Sequence, residues 1–231
     1  MENLDIQNTP LGKGQYFEQE TKKTALVLHH TAGGGVLGDL AQWFNANPTR
    51  VATHYGLTRL GELEQLFPDK YWASAINAKG ANGKQILELE KQSLQIELYS
   101  WGSLTHNAST STWHNWTAWK QQTNGNFSFV PASKNEVANV CILSSAFRNA
   151  VGYEAYTPAQ IEMLAKWIKY KMQEHGIARA GLLAGNVTAK DFELNADALA
   201  CKGGVWAHTN FRKDKSDLSP QPALLEMLNS I

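Results

Sequence analysis

Ala25-Leu26-Val27-Leu28-His29-His30-Thr31-Ala32-Gly33-Gly34-Gly35 is the stretch that decides how this chain folds. Its apolar opening has the length and composition of a buried strand, and the glycines behind it mark a turn. The end of a core strand in an α/β sheet is where ligands collect. Two imidazoles there are not apolar filler, because a buried imidazole needs partners for both ring nitrogens. A metal would explain the pair. So would one surface histidine beside one hydrogen-bonded core histidine, and this stretch alone leaves both readings open.

Working outward, the next polar cluster lies at the other end of the chain, in Trp206-Ala207-His208-Thr209-Asn210-Phe211-Arg212-Lys213-Asp214-Lys215-Ser216-Asp217-Leu218-Ser219-Pro220. Two imidazoles and one carboxylate make a three-ligand zinc site with a fourth position left for water, the pattern of catalysis. A structural zinc site uses four ligands with tight Cys spacing, and the two cysteines here, Cys141 and Cys201, have none. Cys201 is an alternative ligand in place of His208. Taken alone, a charged loop carrying one histidine is also what an ordinary surface looks like.

Four motifs in order resemble the type 2 N-acetylmuramoyl-L-alanine amidase family, which includes the peptidoglycan recognition proteins. They are Leu26 to Gly33, Thr53-His54-Tyr55-Gly56-Leu57-Thr58-Arg59-Leu60-Gly61-Glu62-Leu63, Ser93-Leu94-Gln95-Ile96-Glu97-Leu98, and His208 with Lys215-Ser216-Asp217. Each is short; their order makes the match strong, over about residues 24–101 and 157–230. The resemblance implies Zn2+ as cofactor, held by His29, His208 and Asp217. It also places a catalytic glutamate at Glu97 and a cation for the developing oxyanion at Lys215. Three positions depart from the family pattern. Ser74 stands where many members carry His, Thr53 where some carry Tyr, and Asp217-Leu218-Ser219-Pro220 replaces the usual Asp-Pro-Gly-Pro. The first two bear on substrate contacts, and none removes a ligand.

Amide hydrolysis needs what these residues offer. An amide is a poor electrophile with a poor leaving group, and zinc both polarises the carbonyl and acidifies water. A general base must take the water proton and pass it to the leaving amine. Glu97 lies in an alternating strand, on the face opposite Ile96 and Leu98, and is the candidate base. The alternative for Glu97 is a solvent-facing carboxylate, and for Lys215 a plain surface lysine. His30 follows His29 on the same strand and therefore points to the other face, as a structural residue. His54 falls in the strand over 51–58. His106 and His114 read as surface residues, and His175 as a cation at a helix C-terminus.

The implied fold is a single α/β domain over residues 1–231, with a central mixed β-sheet flanked by helices. A helix is expected with Leu37, Leu40, Ala41 and Phe44 on one face, ending before Pro48. Strands are expected near 51–59, 62–67 and 93–100. Thr157-Pro158-Ala159-Gln160 is a capping box with Pro at the first helical position, opening a helix over 157–175 that Gly176 closes. A last helix is expected near 220–230. The match is lost over residues 102–156, which hold Trp113, Trp116 and Trp119 in a polar background and read as an insertion. Its tryptophans either stack on sugar rings at a cleft rim or pack the insertion against the core.

Lys+Arg and Asp+Glu are both 21, so net charge gives no argument for nucleic acid or a membrane surface, and neither is expected as a partner. The polar start, Met1 to Thr24, has no apolar core of a signal peptide. The expectation is therefore a monomeric peptidoglycan amidase made in the cytoplasm. It would be a phage endolysin released through a holin, or a cytosolic enzyme of muropeptide recycling. A non-catalytic peptidoglycan receptor is the competing class, disfavoured because such receptors typically lose a ligand.

Overall fold

The computed structural model describes residues 4–47, 49–121 and 127–231, the side chains of residues 116–135 excepted. In chain order the elements are β1 (Ile6–Asn8), β2 (Ala25–His30), α1 (Asp39–Ala46), β3 (Tyr55–Leu57), β4 (Leu63–Gln65), α2 (Leu87–Gln92) and β5 (Ser93–Leu98). There follow β6 (Ser103–Asn107), β7 (Thr112–Gln121), β8 (Phe127–Glu136), β9 (Val140–Phe147), β10 (Ala150–Glu154), α3 (Pro158–His175), α4 (Ala196–Leu199), β11 (Gly204–Ala207) and α5 (Pro222–Ser230).

The first sheet is mixed, in the order β1-β4-β3-β5-β2-β11. β2 is parallel to both its neighbours, β5 and β11, and all six of its residues are buried. A strand flanked in parallel and covered on both faces reads as a continuous apolar run, which is why Ala25 to Leu28 shows no alternation. The antiparallel pair is β3 with β4. On one face, Leu26, Leu28, Leu94, Ile96 and Leu98 pack with Leu164, Trp167 and Ile168 of α3 and Leu224 and Leu228 of α5. On the other, Ala25 and Val27 pack with Ile76, Leu89, Trp206 and Phe211. The side-chain period of two then sends His29 to the second face and His30 to the first.

α3 carries the expected cap. The Thr157 hydroxyl accepts from the Gln160 backbone N–H at 3.1 Å, and Gln160 Oε1 accepts from the Thr157 N–H at 3.1 Å. Gly176 ends the helix in the left-handed conformation, φ 64. α1 buries Leu40, Ala41 and Phe44, with Leu37 just outside it. β3 and β4 are shorter than the expected strands.

Residues 102–156 are not a loop. They build a second, antiparallel sheet in the order β8-β7-β6-β10-β9. Trp113 packs inside it, where a side chain at Gly152 would run into its ring, and it also lies against His106, ring centroids 4.9 Å apart. The side chains of Trp116 and Trp119 lie outside the described residues. His114 is a correction: it is buried, with Nε2 2.6 Å from the Thr112 hydroxyl, not a surface residue. Among the described residues no helix is long and apolar enough to cross a membrane.

Candidate active site

The C-terminal ends of the parallel strands gather the polar residues. His29 and His30 end β2, Glu97 lies one residue before the end of β5, and His208 opens the 3-10 turn that follows β11. His29 and Glu97 face each other across the β2–β5 ladder, so their side chains leave on the same face, two residues beyond the Val27–Gln95 pair.

Three atoms converge there. His29 Nδ1 lies 3.0 Å from His208 Nδ1 and 3.2 Å from Asp217 Oδ2, and His208 Nδ1 lies 2.8 Å from the same oxygen. The far nitrogens are anchored: His29 Nε2 donates to Gln95 Oε1 at 2.9 Å, and His208 Nε2 to the Ile76 carbonyl at 2.9 Å. Both imidazoles are buried. Burial, and then the neighbouring His208 ring, bring the His29 pKa down to about 4, so the ring is neutral near pH 7. Burial alone would raise the Asp217 carboxyl, but His208 and His29 hold it well below the usual range.

Glu97 stands at the edge of this group. Its Oε2 is buried and has no hydrogen-bond partner. Burial, then the charge of Asp217, push its pKa well above the ordinary glutamate value, while the Lys215 ammonium pulls it back. Lys215 is half-buried and within electrostatic reach of both Glu97 and His30.

The remaining polar residues serve the scaffold. His30 Nδ1 meets the Tyr156 hydroxyl at 3.1 Å on the opposite face, as its place beside His29 requires. Gly102, at φ 71, lies so close that a Cβ there would sit 2.6 Å from His30 Nε2. His54 is fully satisfied, its Nδ1 accepting from the Gln95 N–H at 3.2 Å and its Nε2 donating to the Tyr71 carbonyl at 3.0 Å. Thr53 bonds the Tyr55 carbonyl at 3.1 Å. Cys201 packs at the margin of the Val27–Trp206 cluster and is not among the grouped donors. His175, the last residue of α3, pairs with Asp69 at 3.1 Å. Gln95 is the site residue that sequence reasoning passed over. Its signal was present, since it stands two positions before Glu97 and so shares that residue's face.

Comparison with known structures finds several similar chains, one of them at a TM-score of 0.50. The Staphylococcus aureus hydrolase AmiA, solved with its ligand, is 12% identical over 99% of this chain and 83% of that one, with a TM-score of 0.50. The N-acetylmuramoyl-L-alanine amidase LysC from Clostridium intestinale is 12% identical over 97% of this chain and 95% of that one, with a TM-score of 0.49. A mutant endolysin from Bacillus subtilis is 14% identical over 94% and 90%, with a TM-score of 0.46. No curated protein sequence matches the chain. The model of the Amidase_2 family, N-acetylmuramoyl-L-alanine amidase, matches residues 19–220. That span holds β2, β5 and β11 and every residue of the converging group, and the chain belongs to this family of peptidoglycan amidases.

Proposed function

We propose that the protein is a zinc-dependent amidase that cuts the amide between the lactyl group of N-acetylmuramic acid and L-alanine, acting on cell walls as a phage endolysin. The observation that carries the zinc reading is the convergence of His29 Nδ1, His208 Nδ1 and Asp217 Oδ2 at 2.8–3.2 Å. Each ring donates through Nε2 to an oxygen, so in the neutral form each Nδ1 presents a lone pair. Three acceptors so close repel one another, and a metal ion, or a proton on one Nδ1, relieves that repulsion. Their separations are near the ~3.3 Å edge of a tetrahedron with metal–ligand bonds of about 2.0 Å. The anchoring of each far nitrogen is what metal-binding histidines require.

When bound, the metal supplies Lewis acidity that polarises the scissile carbonyl and acidifies the attacking water. Glu97, with one oxygen unpartnered, takes the water proton and returns it to the leaving nitrogen. Lys215 opposes the negative charge that grows on the carbonyl oxygen. The candidate site is complete within one chain, and a monomer is the working unit of this reading. Residues 1–231 act as one catalytic domain in which the second sheet is an insertion between β5 and α3. That sheet starts beside the loop after His29 and so borders the candidate site, and the reading as an endolysin takes it as a rim for the wall polymer.

Three measurements test this reading. The purified protein should hold one zinc per chain. Digested peptidoglycan should gain L-alanine amino termini and no reducing sugar ends, and chelation should stop the reaction until zinc is returned. Intact walls should be cut more efficiently than soluble muropeptides. New reducing ends, or no products from zinc-loaded protein, would reject the amidase reading, and a preference for muropeptides would reject the endolysin.

A further inference from the structure

Glu90 on α2 is completely buried, and it accepts hydrogen bonds from five N–H donors. Oε2 takes the backbone N–H groups of Ala75 and Ile76, each at 3.1 Å, and Gln95 Nε2 at 3.2 Å. Oε1 takes the Asn77 N–H at 2.6 Å and Gln85 Nε2 at 3.0 Å. Two of these partners lead directly to the candidate ligands. Gln95 meets His29, and Ile76 meets His208.

The logic along the first arm is directional. A carboxylate only accepts, so the Gln95 amide must turn its nitrogen to Glu90 and its oxygen to His29. That oxygen also only accepts, so His29 must carry its proton on Nε2. Nδ1 is thereby left with a free lone pair facing His208 and Asp217. Along the second arm, Glu90 clamps the 75–77 backbone and so fixes the Ile76 carbonyl, which holds His208 in the same tautomer. We propose that Glu90 is a positioning residue that sets the orientation and tautomer of both His29 and His208 as metal ligands, through the Gln95 amide and the 75–77 backbone.

This rests on the zinc reading of the site, but its first readout does not use metal. In the metal-free protein, 15N chemical shifts of the histidine rings should show a proton on Nε2 of both His29 and His208. Glu90→Gln puts an amide nitrogen against donors. Either Gln95 turns over and drives the His29 proton to Nδ1, or the 75–77 backbone shifts and loosens His208. One or both rings should therefore lose the Nε2–H preference. Zinc affinity, read by competition with a chromophoric chelator, should fall about 10–100-fold, as loss of an outer partner of a metal ligand typically does. Gln95→Leu removes only the first arm and leaves the clamp on 75–77, so it serves if Glu90→Gln does not fold. It should release His29 alone and weaken zinc binding about tenfold. The double variant Glu90→Gln/Gln95→Glu restores an acceptor beside His29 Nε2 and should bring back that ring's tautomer. If both single variants keep wild-type tautomers and zinc affinity, Glu90 is only scaffold and the proposal is overturned. If the wild type itself binds no zinc while its tautomers change as expected in the variants, the metal reading fails and the positional link from Glu90 to the histidines stands.

Discussion

Glu97 holds a buried oxygen without a partner beside a carboxylate, an arrangement that costs the fold and marks the residue as the candidate base. Its folded pKa is raised, so the stability linked to it is fully present below the ordinary value near 4.5. That stability is lost as pH rises through the folded value. Glu97→Gln should therefore raise the Tm of the metal-free protein at pH 7, each 1 kcal/mol giving about 2–4 °C in a chain of this size. The gain should shrink in melts below pH 4.5. The same variant should lose about 10²–10⁴-fold in kcat, with zinc retained. In the wild type, the acid limb of kcat/KM should lie above the ordinary glutamate range, and Glu97→Gln should lack it. Near-normal turnover in that variant would leave Glu97 as a plain strand residue. The ligand assignment is tested beside it: His29→Ala and Asp217→Ala should each abolish tight zinc binding, and His30→Ala should keep it. The reverse result for the two histidines would invert the strand-face assignment.

At the scale of elements, the patterns that sequence carries well are those with a local cause. The Thr157/Gln160 box, Pro158 and Gly176 fix α3 by bonds between neighbours in the chain, and the helix follows the expectation residue for residue. β2 was legible from its apolar run, and the opposite fates of His29 and His30 from the period of a strand. What stayed hidden has non-local causes. Glu90 sits in a stretch of unremarkable polarity, and only the approach of the 75–77 backbone gives it its role; the strand period places Gln95 on the face of Glu97, but only the approach of His29 gives it a partner. The second sheet was missed because β6 and β7 are polar and the strands pair mainly with one another; the run Val140-Cys141-Ile142-Leu143 in β9 was a signal that went unread. The α3 cap also joins elements, since the Thr157 hydroxyl donates to the Arg59 carbonyl at 2.6 Å. Thr157→Ala should cost about 1–2 kcal/mol in denaturant unfolding and leave zinc affinity alone. An unchanged midpoint would mean that Pro158 and packing suffice to start the helix.

Across the whole molecule, the second sheet is tied to the first at the edge of the site. Glu154, the last residue of β10, accepts two hydrogen bonds from Arg59, each at 2.6 Å, and one from the Trp101 N–H. Arg59 Nη2 also reaches the Gly33 carbonyl at 3.3 Å, in the loop that leaves His29 and His30. Two residues on, the Tyr156 hydroxyl joins His30 to Ser219, close behind Asp217. The sheet is thus tied to the loop that follows His30 and, through Tyr156 just beyond β10, to Ser219 two residues after Asp217. Bidentate pairing between charged groups is strong, and losing one partner leaves the other poorly satisfied. Glu154→Ala should cost about 2–3 kcal/mol, because it strands both Arg59 and the Trp101 N–H. The double variant Arg59→Ala/Glu154→Ala should cost less than the sum of the two single changes, which is the signature of a direct pair. If the tie also orders the substrate cleft, Glu154→Ala should lose more activity on intact walls than on soluble muropeptides, with zinc content unchanged. Additive single costs, together with equal losses on both substrates, would reduce Arg59 and Glu154 to independent surface groups and detach the second sheet from catalysis.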